Sequence, residues 1–313
     1  MPSARALACP ASLKGVLSAR EAAAALAEGL GIWAEVDELP LADGGEGSLE
    51  ALHSAAGGTW RTAGIHDAFG RPRQARWLAL PDGVAAVEAA EAIPLDPERL
   101  DPFGATSRGL GELIRTVGRP VGLLVCLGGT ANVDGGAGLL EVLEELPAPT
   151  RVACDVDVPL VDAARLFSGQ KGAATEDIPR LEERLASLPE LRAYAELPGA
   201  GAAGGLGAAL AALGAELLPG AALILDLVGF DPTGYDLVVT GEGTVDATTA
   251  RGKAPAEVAR RCDAAGVRCV VFGGRVVEPL PSAETLALSG DPSRARADLV
   301  ALGLRLGGVG AAG

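Results

Sequence analysis

The chain has three lysines, Lys14, Lys171 and Lys253, and each adjoins a glycine in Lys14-Gly15, Lys171-Gly172 and Gly252-Lys253. Basic residues total 26, so arginine fills nearly every other cationic position. Asparagine occurs once, at Asn132. With abundant Ala, Gly and Pro, this looks like a GC-rich coding bias that trades lysine for arginine wherever either serves. Lysines that survive such a bias mark places where a compact ammonium is needed, since lysine and arginine are not interchangeable at a tight phosphate site. A neighbouring glycine lets backbone approach the same anion closely.

Four loops carry the matching polar groups. They are Ser12-Leu13-Lys14-Gly15, Asp43-Gly44-Gly45-Glu46, Thr130-Ala131-Asn132-Val133-Asp134, and Glu242-Gly243 with Asp246. Each follows a short apolar run that reads as a strand. In parallel α/β sheets, ligands bind beyond the carboxyl ends of strands, where helix N-termini also present N–H groups to anions. The expectation is therefore that these carboxylates converge on one sheet edge. Taken singly, each loop is ordinary strand-to-helix turn chemistry, and Asp157 and Asp246 read equally well as turn caps. Together with the lysines they suit phosphoryl transfer. That reaction needs Mg²⁺ on a few carboxylates, cations on the transferring phosphate, and a carboxylate near the attacking hydroxyl.

Other chemistries fit less well. Gly199-Ala200-Gly201-Ala202-Ala203-Gly204 matches G-x-G-x-x-G but follows Pro198 rather than a buried strand, which argues against a nicotinamide fold. Gly243 to Lys253 is not a Walker A loop, because Ala254 stands where Ser or Thr should follow the lysine. The two histidines, His53 and His66, have no zinc spacing. No G-x-S-x-G elbow is present for a serine hydrolase.

Composition narrows the class further. Hydrophobic residues make up 49%, charged residues 21% and aromatics 3%, the profile of an Ala- and Leu-packed globular chain. A formal net charge of −15 argues against nucleic acid as a partner. No apolar run has membrane-spanning length, and no secretory h-region is read at the N-terminus. The five scattered cysteines, without CxxC spacing, suit thiols buried in a reducing cytoplasm.

The elements that must position these residues read as α/β. A strand at Ala6 to Cys9 leads to a helix from Ser18, with Glu21 completing a capping box. A second strand, Ala34 to Leu39, precedes a helix near Ser48 to Ala55. Thr59 to Leu80 alternates about a turn at Asp67 to Pro72 and predicts antiparallel strands. A helix near Thr106 to Val117, a strand at Val121 to Leu127 and a helix from Gly136 to about Glu145 follow. Next come a strand at Arg151 to Cys154, a helix near Glu176 to Ser187, a glycine-rich lead into a helix ending at Leu213, and a strand at Ala222 to Val228. Strands at Asp236 to Thr240 and Cys269 to Phe272, with a helix near Arg294 to Leu304, complete one parallel sheet interrupted by a second module.

Several blocks, in order, resemble the type I glycerate kinases. They are Asp43-Gly44-Gly45-Glu46-Gly47, Gly128-Gly129 through Gly138, Ala153-Cys154-Asp155-Val156-Asp157, Gln170-Lys171-Gly172-Ala173, Gly199 to Gly207, Thr240-Gly241-Glu242-Gly243 with Asp246, and Arg251-Gly252-Lys253-Ala254-Pro255. The resemblance spans nearly the whole chain. It implies a Rossmann-like parallel-sheet domain (1–60, 103–148 and 233–313) with a second, interleaved α/β domain (61–102 and 149–232). It implies ATP-dependent phosphorylation of glycerate with Mg²⁺. On that reading Lys14, Lys171 and Lys253 contact phosphate or the acid's carboxylate. Asp43, Asp134 and Asp155 ligate Mg²⁺ or orient the hydroxyl, and Asp246 completes the catalytic set. Gly44, Gly45, Gly128, Gly129, Thr130, Gly241, Glu242 and Gly243 bind nucleotide. The partner is a small molecule rather than nucleic acid or membrane, and homo-oligomerisation is left open.

The chain departs from the family pattern at identifiable places. Pro-Asp-Ser-Phe-Lys-Gly becomes Pro10-Ala11-Ser12-Leu13-Lys14-Gly15. Gly-Gly-Ser-Ala-Thr-Asn-Asp becomes Gly129-Thr130-Ala131-Asn132-Val133-Asp134, which replaces an amide side chain with apolar Val133. Val158 replaces an asparagine, and the segment between Leu143 and Arg151 is shortened. These losses support an alternative reading, a catalytically degraded homologue that binds a metabolite or partner.

Overall fold

The computed structural model describes residues 4–308. Its strands along the chain are β1 (Ala4–Ala8), β2 (Ala34–Glu38), β3 (Thr59–His66), β4 (Pro72–Ala79), β5 (Val84–Glu88), β6 (Gly122–Leu127), β7 (Thr150–Cys154), β8 (Glu216–Pro219), β9 (Leu237–Val245), β10 (Arg268–Val276) and β11 (Glu284–Ala287). They form two sheets rather than one, in the orders β11-β10-β9-β1-β2 and β3-β4-β5-β6-β7-β8. The predicted α/β class holds, but the four polar loops are divided between the sheets.

The five-stranded sheet belongs to a unit made of residues up to Asp43, Glu50–Ala55, and Ile224 onward. All of its strand pairs are parallel. Its central strands, β1, β9 and β10, contribute Ala6, Leu237, Val239, Val270 and Phe272 to a core closed by Leu26, Leu30, Leu299 and Leu302 from two helices. The first of these helices, Ala19–Leu30, starts as the sequence predicts. Glu21 N–H donates to Ser18 Oγ at 3.2 Å while Ser18 N–H donates to Glu21 Oε2 at 2.9 Å, which satisfies two otherwise orphaned donors.

The six-stranded sheet belongs to the other unit, Gly44–Leu49 and Ala56–Leu223. Thr59 to Leu80 forms the antiparallel β3–β4 pair, as its alternation predicts. From β5 to β8 the sheet is parallel. β6 is buried along nearly its whole length, which is why it reads as a continuous apolar run rather than an alternating one.

Several sequence expectations need correction. Residues 103–148 carry β6 and group with the six-stranded sheet, not with the first unit. Residues 222–228 lie mostly in a helix, Gly220–Leu227, because a short apolar run does not distinguish a buried strand from a buried helix. The helix after Gly136 is a single turn, Ala137–Leu140. The short strands β8 and β11 carry no alternation that the sequence reading detected. No helix among the described residues is long and apolar enough to cross a membrane.

The glycine-rich stretch proves to be a packing device. A β-carbon at Gly204 would lie 2.2 Å from the Asn132 carbonyl oxygen, and one at Gly207 would lie 2.1 Å from the Gly199 carbonyl. Ala203, Gly204 and Gly205 all hold positive φ at the start of the helix Ala202–Ala212. These glycines allow close contact between segments of this unit, which accounts for the G-x-G-x-x-G pattern without a dinucleotide.

Candidate active site

In the first unit the site grows from the end of β9. Its residues Val238, Val239 and Thr240 are buried in the sheet, and Gly241 must be glycine because a β-carbon there would meet the Phe272 carbonyl at 2.2 Å. The strand then delivers Glu242 into a half-buried position. One carboxylate oxygen, Oε1, accepts a 2.6 Å hydrogen bond from the Thr249 hydroxyl, and Oε2 pairs with Lys253 Nζ at 3.4 Å. Burial pushes the Glu242 carboxyl above its ordinary range, and Asp43 adds to the rise. The Thr249 hydrogen bond and Lys253 oppose it. Lys253 stands at the start of the helix Ala254–Ala265, where Pro255 suits the first turn.

Asp246 serves this cluster as a turn cap. Its Oδ1 accepts from Thr248 N–H at 2.8 Å and from the Thr248 hydroxyl at 2.6 Å. That hydroxyl contact is the largest cause holding the Asp246 carboxyl below its usual range. Lys14 is exposed, and the backbone at Leu13–Lys14 runs beside Gly243. Asp43, Glu242, Asp246 and Lys253 therefore share one neighbourhood, whereas the loop at 130–134 belongs to the other sheet, so the expected convergence of all four loops on one sheet edge is not met.

In the second unit the site grows from β6 through Gly128-Gly129-Thr130. Lys171 follows the helix Leu160–Phe167, on a short 3₁₀ turn closed by Gly172 at φ +97°, and its side chain is buried. Its Nζ donates to the Asn132 carbonyl at 2.7 Å and to Thr130 Oγ1 at 3.4 Å. Burial lowers the Lys171 ammonium to about 8, against the opposing pull of Asp155 and then Asp134. A buried, partly satisfied cation beside a carboxylate is the arrangement expected of a functional lysine.

Asp134 has a different character from that expected of a metal ligand. Its Oδ1 accepts from Asn132 Nδ2 at 2.9 Å and from Gly136 N–H at 3.1 Å. Its Oδ2 accepts from Ser107 N–H at 2.8 Å, the Ser107 hydroxyl at 2.8 Å and Gly138 N–H at 3.2 Å. Five donors saturate the carboxylate and tie the loop to the start of the helix Arg108–Thr116. Asn132 Nδ2 also donates to the Ala203 carbonyl at 3.1 Å, so the chain's sole asparagine links Asp134, Lys171 and the left-handed turn.

Asp155, at the end of β7, packs against glycine backbone. A β-carbon at Gly128 would lie 2.9 Å from Asp155 Oδ2 and 2.6 Å from Gly45 Cα. Gly128→Ala is therefore expected to destabilise the protein by about 1–3 kcal/mol and to lower turnover, read from urea unfolding and initial rates. Wild-type stability in this variant would refute the tight packing. Glu88, at the end of β5, is buried and accepts from Gly47 N–H at 3.1 Å and Leu49 N–H at 3.2 Å. It thereby fixes the Gly44–Gly47 loop.

Thr249, Ser107 and Glu88 were absent from the sequence-derived set. An acid ending an apolar strand could have indicated Glu88. Nothing local singles out Ser107, whose partner lies 27 residues away. Among the described residues no group of three or more His, Cys, Asp or Glu side chains gathers to hold a metal. Mg²⁺ does not require one, because it is usually held by one or two carboxylates together with waters and phosphate oxygens. Asp155 fits that role in donor type and in its close approach to bare glycine backbone.

Three substituted positions among these departures, Ala11, Val133 and Val158, hold backbone or core roles. Ala11 N–H donates to the Gly241 carbonyl at 2.9 Å, and the Val158 carbonyl accepts from Gly201 N–H at 2.8 Å. Val133 is buried in an apolar cluster with Leu160, Leu181 and Leu185.

The glycerate kinase family profile matches residues 6–146 and 146–289, and the two stretches meet inside the shortened segment between Leu143 and Arg151. Glycerate 2-kinase of Escherichia coli K12 is 36% identical over 303 residues, covering 80% of each chain. Glycerate kinase of Bacillus subtilis 168 is 32% identical over 320 residues, covering 85% of this chain and 84% of its own. A crystal structure assigned as glycerate kinase 2 from Salmonella typhimurium LT2 matches with a TM-score of 0.79 and 29% identity over 98% of both chains. Matches that run through both units, on the loops that carry Lys171, Asp155, Glu242 and Lys253, place this chain in the glycerate kinase family.

Proposed function

We propose that this chain transfers the terminal phosphoryl group of ATP to a hydroxyl of glycerate. The observation that carries this reading is the family match through both units, in a chain that keeps its only three lysines in the glycine-flanked blocks. Lys171 is the proposed cation for the transferring phosphate or the substrate carboxylate. Its position is fixed by two hydrogen bonds, so little reorganisation is needed when negative charge arrives. Lys253, steadied by Glu242, and Lys14 are the proposed nucleotide-phosphate contacts. Gly44, Gly45, Gly128, Gly129, Gly241 and Gly243, with Thr130, supply backbone and hydroxyl donors for the nucleotide. Asp43 is the proposed carboxylate that orients the attacking hydroxyl. When bound, Mg²⁺ would neutralise charge on the phosphates, and Asp155 is the residue proposed to hold it. Asp134 acts by holding the Lys171 loop, and Asp246 by capping the turn before Lys253. A cytoplasmic setting is proposed from the thiols, since Cys9, Cys126, Cys154 and Cys262 are buried as small apolar groups.

An assay coupling ADP release to D-glycerate and Mg²⁺ tests the proposal. Glycerate-dependent ADP formation is expected, and phosphorus NMR of the product identifies the hydroxyl used. No ADP from glycerate, with measurable nucleotide binding, would overturn it in favour of the degraded homologue.

A further inference from the structure

The Glu242–Lys253 pair is held by a residue that no motif argument singled out. Thr249 is fully buried on the loop between β9 and the helix Ala254–Ala265. Its hydroxyl accepts from Asp246 N–H at 3.0 Å and lies 2.6 Å from Glu242 Oε1. A backbone N–H can only donate, so the hydroxyl's single proton is directed to the Glu242 carboxylate. The Thr249 carbonyl also accepts from Lys253 N–H at 3.3 Å. One buried residue thus touches the carboxylate through its side chain and the lysine through its backbone.

We propose that Thr249 is a positioning residue that locks the Glu242 carboxylate with Oε1 on the hydroxyl and Oε2 on Lys253, so that the Lys253 ammonium is presented in one place. The functional part of this inference rests on the kinase reading above. The physical part does not. Burial leaves Glu242 costly to ionise, and Asp43, from the loop after β2, opposes ionisation further. Lys253 and the Thr249 hydroxyl favour it. Asp246 faces the same turn, spent on Thr248. The neighbours across the sheet, Gly273 on β10 and Ala11 beside Gly241, carry no charge. Within this set the hydroxyl is one of two groups keeping Glu242 ionised, and a protonated Glu242 loses its hold on Lys253.

Thr249→Val keeps the shape and removes the donor, so the Glu242 midpoint should rise by on the order of one pH unit. Carbon NMR of the full chain labelled at glutamate carboxylates reads that midpoint with no substrate present. In steady-state assays, Thr249→Val should lower kcat/KM for ATP by about tenfold at neutral pH and move the acid limb of the profile upward. Thr249→Ser, which restores the hydroxyl, should return both readouts to within about threefold or a few tenths of a pH unit of wild type. Thermal melts of both variants separate a local effect from unfolding. An unmoved Glu242 midpoint in Thr249→Val, or a serine variant as impaired as the valine variant, would overturn the proposal. A wild-type protein that forms no ADP from glycerate would overturn the kinase reading alone, because the NMR midpoint still reports on Thr249.

Discussion

Lys171→Met is expected to lower kcat by about 10²–10³-fold while leaving the protein at least as stable as wild type at pH 7. The two effects arise from one fact. The Lys171 side chain is buried, and its ammonium titrates near 8 rather than at the ordinary 10.5. The folded chain therefore holds its proton less tightly than the unfolded chain does. Below pH 8 the charged form opposes folding by about 3 kcal/mol, and this opposition fades as the pH rises from about 8 to 10.5. Methionine has similar length and no charge, so it removes that opposition along with the bonds to Asn132 and Thr130. The stability gap between variant and wild type should be largest below pH 8 and shrink across the alkaline window. Urea unfolding at pH 7 and at pH 10, beside initial rates, checks both halves. A methionine variant that is strongly destabilised at pH 7, or that retains wild-type turnover, would remove Lys171 from its proposed role.

Asp134→Ala should show the opposite pattern, with stability as the primary loss. Its carboxylate accepts five hydrogen bonds and is buried. Removing it strands Ser107, Asn132, Gly136 and Gly138 donors in a dry environment. Truncation of a buried, fully bonded charge of this kind costs about 3–5 kcal/mol. The denaturation midpoint should fall while the slope stays constant, the signature of lost stability rather than of an altered unfolded state. Turnover should fall as well, because the same network fixes the loop whose Asn132 carbonyl holds Lys171. A variant of unchanged stability with weakened Mg²⁺ dependence would instead return Asp134 to the metal-ligand role that its motif suggests.

These two residues show how far the sequence could be read. Lys171 stood out in the sequence because lysine is so rare here, although its burial against the Asn132 carbonyl had no local signal. The capping box at Ser18 and Glu21 was legible for another reason, since both partners lie within one helical turn. Asp134 was legible as an acid at the end of a strand, but not as a saturated one. Its five donors come from four residues, and Ser107 is 27 positions away. Thr249 was missed although it stands seven residues from Glu242, because a threonine in a polar loop has no distinguishing local signal. The run at 222–228 was read as a strand because a short run with six apolar residues in seven is compatible with burial in either geometry.

The glycine-flanked lysines and their neighbouring carboxylates by themselves suited phosphoryl transfer, because charge, reach and close backbone approach are properties of residue types and short spacings. The tertiary structure decided how those groups are distributed. It divided the loops between two sheets, buried Lys171 until its ammonium weakened, saturated Asp134, and set Thr249 against Glu242. Each of these outcomes depends on which distant backbone groups meet a side chain and how much water is excluded around it. Strand pairing and packing set both conditions across separations that no local pattern encodes.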